Sequence, residues 1–278
     1  MPPVLVVLLH TLREARRRRV IAAALIFAAV FLLLFGIAFH FIHLDISKQI
    51  GTAAIQKRMM LIFFVMVGLY GVNFLTLMTA VLAPVDTLSG EIASGVMQTL
   101  ASKPIRRSEI LLGKWLAWWI VVAGYLALTM GGVLLVARAI AGVVPPHTEI
   151  GFVLMLLEAT VLLTLALAWG TRLGTLANGI VVLGFYGLGF LGGWVEQIGT
   201  IAGNDTARRI GTFVSLIVPS ESMWQLAAWH MQPSIMRETQ LSPFSPASVP
   251  TPAMVLWAGG YVLVAMTVAL RSFARRPL

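Results

Sequence analysis

Apolar residues fill six long windows of the sequence, and shorter stretches rich in charged residues and prolines separate them. As an α-helix, each window is long enough to cross about 30 Å of hydrocarbon at about 1.5 Å per residue. The windows cover residues 20–41, 59–83, 115–137, 150–171, 175–195 and 253–270. Five of them carry no formal charge before their ends, and the fourth carries only Glu158. The pattern predicts an all-α membrane protein with six transmembrane helices.

A polar insertion, residues 86–114, separates the second and third windows and has its own helical period. Apolar residues recur in or beside it at three- and four-residue steps, at Val85, Leu88, Ile92, Val96 and Leu100. This spacing places them on one stripe of an amphipathic helix. We expect that helix to end at Pro104, because proline lacks a backbone donor and disfavours helical dihedrals in the preceding residue. Ser108 then caps a second helix, so the segment is predicted to be helix, break, helix.

Two further polar segments lie beside the apolar windows. Residues 1–19 are apolar through Leu9 and then strongly basic, which is typical of a helix lying at a membrane interface. Residues 196–252 form a long loop between the fifth and sixth spans. Within this loop Ser220 is placed to cap a short helix containing Trp224, and we expect that helix to lie on the outer leaflet. The whole chain, residues 1–278, is predicted to be a single domain.

Composition supports a membrane protein, since 59% of the residues are hydrophobic and 11% are charged. The net charge of +9 is explained by topology. With the N-terminus in the cytoplasm, thirteen of the twenty Lys and Arg residues fall inside, as the positive-inside rule requires. This orientation places both termini and residues 86–114 in the cytoplasm and residues 196–252 outside, in a multi-pass protein of the inner (cytoplasmic) membrane. The basic residues then contact lipid headgroups, and we expect no nucleic-acid partner.

Glu158 lies about eight residues inside the outer end of the fourth window, where a charged side chain is costly. Three environments would accommodate it. Arg138 closes the third window and is long enough to form an ion pair with Glu158 across an antiparallel turn. Alternatively, Glu158 is protonated and hydrogen bonded to a neighbouring helix, or it faces the substrate pathway.

Two smaller patterns indicate a ligand or a close contact. His40 and His43 share a helix face and lie beside Asp45, a set that could ligate a metal ion. A histidine pair at the end of a span more often only lies at the interface, so we predict no metal site. Gly189 and Gly193 form a small-xxx-small pair, which lets another helix approach closely, either within the subunit or at a dimer interface.

Catalytic and nucleotide-binding motifs are missing from the sequence. It contains no H-E-x-x-H, no G-x-S-x-G and no G-x-x-x-x-G-K-[ST] phosphate loop. The absence of cysteine also excludes disulfides and thiolate metal sites. We therefore expect a protein that is not an enzyme and holds no cofactor, and whose energy source is another chain.

The polar insertion resembles the cytoplasmic segment that follows the second span in ABC-2 type permeases, the membrane subunits of ABC exporters. The matching residues are Glu91, Gly95, Leu100, Pro104, Arg107, Gly113 and Lys114. Six spans, a basic N-terminal helix and a long loop before the last span extend the similarity over the whole chain. Residues 217–224 are most similar to the branch containing the permease for nitrous-oxide-reductase maturation.

The resemblance implies a permease homodimer, or a paired permease, coupled to two cytoplasmic ATP-binding subunits that hold ATP and Mg²⁺. It also implies that the matched residues of the insertion form the interface with those subunits. A helix, break, helix continuous with two spans suits the transmission of movement from a soluble motor. Two other classes stay open from the sequence: a secondary transporter or channel working without ATP, and a membrane anchor for a soluble enzyme.

Overall fold

The computed structural model describes residues 2–51, 53–93, 95, 106–239 and 248–276. These residues form eleven α-helices and no strand. The helices are α1 (Pro3–Ala15), α2 (Arg19–Lys48), α3 (Ala54–Leu82), α4 (Val85–Ala93), α5 (Arg107–Ala141), α6 (Thr148–Gly170), α7 (Thr175–Ile201), α8 (Asp205–Ile217), α9 (Ser220–Met231), α10 (Ser234–Thr239) and α11 (Pro252–Arg275).

Six of these helices are long and apolar enough to cross a membrane: α2, α3 with its continuation α4, α5, α6, α7 and α11. They coincide with the six apolar windows, so the predicted all-helical fold with six spans is confirmed. The helices extend beyond the windows at several ends. At 35 residues, α5 is the longest, about 52 Å at the usual helical rise.

Helix α6 is the centre of the bundle. Nearly three quarters of its most apolar stretch is buried, whereas only 6% of the most apolar stretch of α2 is buried. Helices α3, α4, α5, α7, α9 and α11 all pack against α6. Its sequence has no polar stripe, which is typical of a helix that is covered on every side.

One end of the bundle collects most of the arginines, and we call it the basic end. There α1, α4, the start of α5, the last turn of α6 and the C-terminus of α11 meet. Arg172, just after α6, donates from Nε to Ser272 Oγ of α11 at 2.9 Å. Arg18, just before α2, stacks over the Trp118 ring of α5 at 5.7 Å. The other end, with the α5–α6 turn and α10, is called the opposite end.

Helices α8 and α9 re-enter the bundle from the opposite end. α8 runs back along α7: Ala207 lies against Gly199, Val214 against Gly192, and Val218 against Gly189. Because α7 spans residues 175–201, this register brings the α8–α9 turn to about the middle of α7. α9 then returns along α6, and its Met231 contacts Gly151 near the start of that helix.

This arrangement corrects the prediction that the helix beginning at Ser220 lies on the outer leaflet. Nine of the twelve residues of α9 are buried, Trp224 among them. The physical reason is a set of glycines that leave room for α8 and α9 to approach. A Cβ on Gly192 would lie 2.5 Å from Val214 Cγ1, and one on Gly193 would lie 2.6 Å from Glu221 Cγ. The segment predicted to be a long outer loop therefore contains two helices, α8 and α9, that pack on the spans.

Helix α1 packs against the first turns of α5 through Val7, Leu8 and Thr11. Gly113 of α5 makes this contact possible, because a Cβ there would lie 2.8 Å from the carbonyl oxygen of Val4. The N-cap of α5 is Arg106, two residues before the predicted cap Ser108, and the helix begins at Arg107. Its first turn is closed by Glu109, whose Oε2 accepts from the Arg106 backbone N–H at 2.9 Å.

Candidate coupling site and interior acidic cluster

The two ends of the polar insertion are joined by an ion pair. Lys114 Nζ of α5 donates to Glu91 Oε1 of α4. Only 3% of the Lys114 side chain and 12% of the Glu91 side chain are exposed. The pair therefore sits in a poorly solvated position, where removing one partner leaves a buried charge uncompensated. Sequence spacing gives no signal for this contact, since 23 residues and a helix break separate the partners.

This ion pair gives Glu91 a partner within the chain, and its expected contact with an ATP-binding subunit stays a prediction. The resemblance assigned Glu91 a contact with an ATP-binding subunit, but its carboxylate binds Lys114 within the chain. Gly113 and Lys114, the closing pair of the resemblance pattern, have separate functions in the structure. Gly113 admits α1 against α5, and Lys114 joins α5 to α4.

A second set of contacts anchors α4 on the start of α7. Thr175 Oγ1 donates to Asp86 Oδ1 at 2.8 Å and lies 2.9 Å from Ser89 Oγ. The buried Asn178 amide donates to the carbonyl oxygens of Val85 at 3.2 Å and Ala166 at 2.8 Å. One amide thus bridges α4, α6 and α7. The sequence gives no signal for the roles of Thr175 and Asn178, because a single polar residue at the start of a span does not reveal its partner.

Arg107 is also engaged within the chain. Its Nη1 donates to the carbonyl oxygens of Ala274 at 3.0 Å and Arg276 at 2.5 Å. These carbonyls end α11, where the backbone lacks helical partners and carries partial negative charge. Arg107 therefore joins α5 to α11 at the basic end.

Of the three remaining residues of the resemblance pattern, only Gly95 is among the described residues. Gly95 has a φ of +75°, a left-handed conformation that non-glycine residues rarely adopt. Among the described residues, nothing lies within 4 Å of a Cβ placed there. Leu100 and Pro104 lie outside the described residues.

A second site of interest is a cluster of polar side chains in the bundle interior, which we call the interior cluster. It comprises Tyr70 and Asn73 of α3, Glu158 of α6, Tyr186 of α7 and Glu221 of α9. Glu158 is completely buried, and neither of its carboxyl oxygens has a hydrogen-bond partner among the described residues. The Tyr70 ring packs on the Trp224 ring of α9, with centroids 5.4 Å apart. Glu221 was missed from sequence, because it lies in a segment predicted to be outside the bundle.

The structure does not bring Arg138 to Glu158. Arg138 is exposed near the end of α5, and no ion pair involving either residue is present in the described parts of the chain.

Gly189 and Gly193 lie against the turn into α9 and its first residues. A Cβ on Gly189 would lie 3.1 Å from Ser220 Oγ. Their close contact is thus made inside the subunit.

The residues considered for a metal site are not assembled into one. His40, His43 and Asp45 lie in the last turns of α2. Among the described residues, no group of three or more His, Asp or Glu side chains is placed to hold a metal ion. Nothing in the geometry therefore adds to the sequence pattern at this position.

The fold is that of a multi-pass helical membrane protein. Between its second and third spans, an ion pair joins α4 to the first turns of α5. The family model for ABC-2 family transporter proteins matches residues 5–278. Because the match covers nearly the whole chain, the protein belongs to the ABC-2 family of transporter proteins. No curated protein is similar enough in sequence to be matched to it.

Proposed function

We propose that the chain is the permease subunit of an ATP-driven ABC exporter. It forms the substrate pathway as a homodimer or with a paired permease, and it couples to a separate cytoplasmic ATP-binding subunit. That partner binds ATP and Mg²⁺, while this chain performs no hydrolysis. Both termini and residues 86–114 face the cytoplasm in this proposal, as the distribution of Lys and Arg favours.

The observation that carries the proposal is the ion pair between Glu91 and Lys114. It ties α4 directly to α5, while Asn178 ties α4 to α6 and α7. A displacement applied to α4 from the cytoplasm therefore reaches three spans through short polar contacts. This is the mechanical property that a coupling element requires, because packed elements with discrete arrangements transmit movement between sites.

The docking surface proposed for the ATP-binding subunit is narrower than the full resemblance pattern. Glu91, Arg107 and Lys114 have partners within the chain, so they position the segment. The residues left for docking are Gly95, which is described, together with Leu100 and Pro104, which lie outside the described residues. A helix-in-groove contact of this kind needs an aligned apolar stripe.

The test is purification of the chain from its native membrane with identification of any ATP-binding protein that associates, followed by ATP hydrolysis in lipid nanodiscs. We expect a stoichiometric complex in which the permease changes the hydrolysis rate. Lys114→Met should keep the partner bound while reducing the effect on hydrolysis, because the docking surface survives and its link to α5 does not. The control is Arg138→Gln, an exposed residue at the opposite end, which should behave as wild type.

Two results would contradict the proposal. If no ATP-binding protein associates and transport proceeds without ATP, the chain is a secondary transporter, the candidate that the buried acids of the interior cluster favour. If a different soluble enzyme co-purifies in its place, the chain is a membrane anchor.

The branch within the family is a further proposal. Similarity to the permease for nitrous-oxide-reductase maturation rests on residues 217–224, which form the turn between α8 and α9 and the start of α9. Deleting the gene should then abolish nitrous oxide reduction while leaving the reductase polypeptide present. Unchanged reduction in the deletion strain would remove the chain from that branch.

A further inference from the structure

The interior cluster contains two carboxyl groups that come from different helices. Glu158 lies halfway along α6, and Glu221 lies in the first turn of α9, the helix that re-enters the bundle. Both side chains are more than nine-tenths buried. The helices that carry Glu158 and Glu221 pack directly on each other, so both acids are buried in the same part of the bundle. Two carboxylates in one dry interior region cannot both stay ionised without compensation.

No basic side chain supplies that compensation. Neither Glu158 nor Glu221 takes part in an ion pair within the described parts of the chain. The ionisable groups that face the pair are Tyr70 from α3 and Tyr186 from α7. Both are phenols, which are neutral at ordinary pH.

The other helices packed on α6 bring no charge to the pair. From α4, Asp86 bonds to Thr175, and Glu91 is paired with Lys114 of α5. Arg138 of α5 is exposed. Tyr261 of α11 lines a cavity of about 250 Å³ beside Arg172, at the basic end.

Hydrogen bonds do not neutralise Glu158 either. Asn73 is the side chain placed to hydrogen bond with its carboxyl group, but no hydrogen bond of good distance and angle reaches either Glu158 oxygen from the described residues. An ionised carboxylate in the interior normally accepts several hydrogen bonds. A carboxyl group that lacks them needs a ligand of positive charge at its oxygens.

The size of that ligand is limited by the packing. Residues of the interior cluster line none of the four described cavities, whose volumes run from about 250 to 570 Å³. The aromatic ring of Trp224 and the first turn of α9 close the cluster from one side. A proton fits this site without any cavity, whereas a metal ion requires four or more ligands at defined distances.

We propose that Glu158 and Glu221 form a proton-binding site in the interior of the bundle. In the conformation described here, at least one proton occupies a carboxyl oxygen and leaves the pair with no more than one negative charge. When α9 moves away from α6, water reaches the carboxyl groups and the proton leaves to it. The link between this exchange and transport rests on the proposed permease function, but occupancy of the site does not.

The proton can be observed directly by infrared spectroscopy of the full-length chain in lipid nanodiscs. At neutral pH the wild-type protein should show the C=O stretch of a protonated carboxylic acid in an apolar environment. Glu158→Gln or Glu221→Gln should remove or shift this band, because an amide of the same shape cannot bind the proton. Glu149→Gln is the matched control, since Glu149 lies on the same helix but is 74% exposed.

Thermal unfolding gives a second measurement. Folding keeps the proton bound more tightly than the unfolded chain does, so wild-type stability is greatest at low pH and falls as the pH rises through titration of the site. The double variant Glu158→Gln with Glu221→Gln should lose this decline with rising pH, and Glu149→Gln should keep it. The infrared measurement on wild-type protein alone still decides the question if a variant does not fold.

Two results would overturn the proposal. One is the absence of a protonated-acid band from the wild-type spectrum at neutral pH. The other is stabilisation by Na⁺, K⁺ or Ca²⁺ at fixed alkaline pH that Glu158→Gln abolishes, which would assign the site to a metal cation. Failure of the permease proposal is distinguishable, because it is read from association with the ATP-binding subunit, and Glu158→Gln should leave that association unchanged.

Discussion

Two regions of the molecule bury carboxylates, and they treat them in opposite ways. At the basic end, Glu91 meets Lys114 and forms a nearly buried ion pair. In the bundle interior, Glu158 and a second acid, Glu221, are both buried, and neither forms an ion pair within the described residues. The first arrangement is complete within the chain, while the second requires something from outside. The comparison shows two uses of a buried acid. When it is paired with a base, it can fix two helices together, and when it is unpaired, it can bind an exchangeable ligand.

The two regions also differ in how their helices are held. α4 is fixed to α5, α6 and α7 by one ion pair and several hydrogen bonds. α9 is held against α6 and α7 mainly by close packing on glycines. Polar contacts of defined geometry favour a rigid joint, whereas a packed surface can separate and close again. We therefore expect the basic end to move as a unit and α9 to move relative to α6.

The largest effect should come from breaking the ion pair. Lys114→Met leaves the Glu91 carboxylate in a poorly solvated position, which costs about 3–5 kcal/mol when one partner of a buried pair is removed. The measurement is the unfolding free energy in detergent. Adding Glu91→Gln to Lys114→Met should recover most of the loss, because no charge then stays buried. If the double variant is as unstable as the sum of the single ones, the pair contributes no coupling.

The next effect concerns the packing of α9. Gly193→Val introduces atoms into a space where a Cβ already lies 2.6 Å from Glu221 Cγ, so we expect a loss of about 1–3 kcal/mol from overpacking. The same change should make a cysteine at position 225 of α9 react faster with a water-soluble maleimide. Gly187→Val is the control, since nothing lies within 4 Å of a Cβ at Gly187. Equal effects at both glycines would show that α9 does not depend on this contact.

Glu158→Gln should have a smaller effect on stability than either of these. The amide reproduces the shape of a protonated carboxyl group, so we expect a change below about 1 kcal/mol at neutral pH. Thermal unfolding in detergent, run beside Lys114→Met, provides the measurement. A loss as large as that of Lys114→Met would mean that Glu158 is charged and compensated, which would remove the contrast between the two regions.

Arg138→Gln should have the smallest effect, within about 0.5 kcal/mol, because surface substitutions away from packed features rarely do more. The double variant with Glu158→Gln should be the sum of the single changes. A significant coupling energy between the two positions would show that Arg138 reaches Glu158, and it would restore the ion pair considered from sequence.

Much of the fold was predictable, because a run of about 20 apolar residues has few alternatives to a membrane-spanning helix. The six spans followed from such patterns. The contact between Glu91 and Lys114 did not, because the intervening break has no periodicity that fixes where α4 lies relative to α5. Sequence could identify these two residues as a pattern but could not show that they bind each other.

The prediction for α8 and α9 was wrong for a different reason. α8 and α9 carry charged residues at their starts, such as Asp205 and Glu221, so they read as solvent-exposed segments. The glycines of α7 carried the missing signal: Gly189, Gly192, Gly193 and Gly199 all lie on the surface that α8 and α9 cover. A glycine-dense span followed by short amphipathic helices was the pattern to recognise.

The short length of α8 and α9 limits how these two helices can be inserted into the membrane. α8 has 13 residues and α9 has 12, so each is about 20 Å long or less. The insertion machinery selects segments of about 20 apolar residues, and neither helix qualifies. We therefore expect both to enter the bundle after α6 and α7 are in the bilayer, as a late step of tertiary folding. A chain arrested before that step would have all six spans inserted and yet present Glu221 to the solvent.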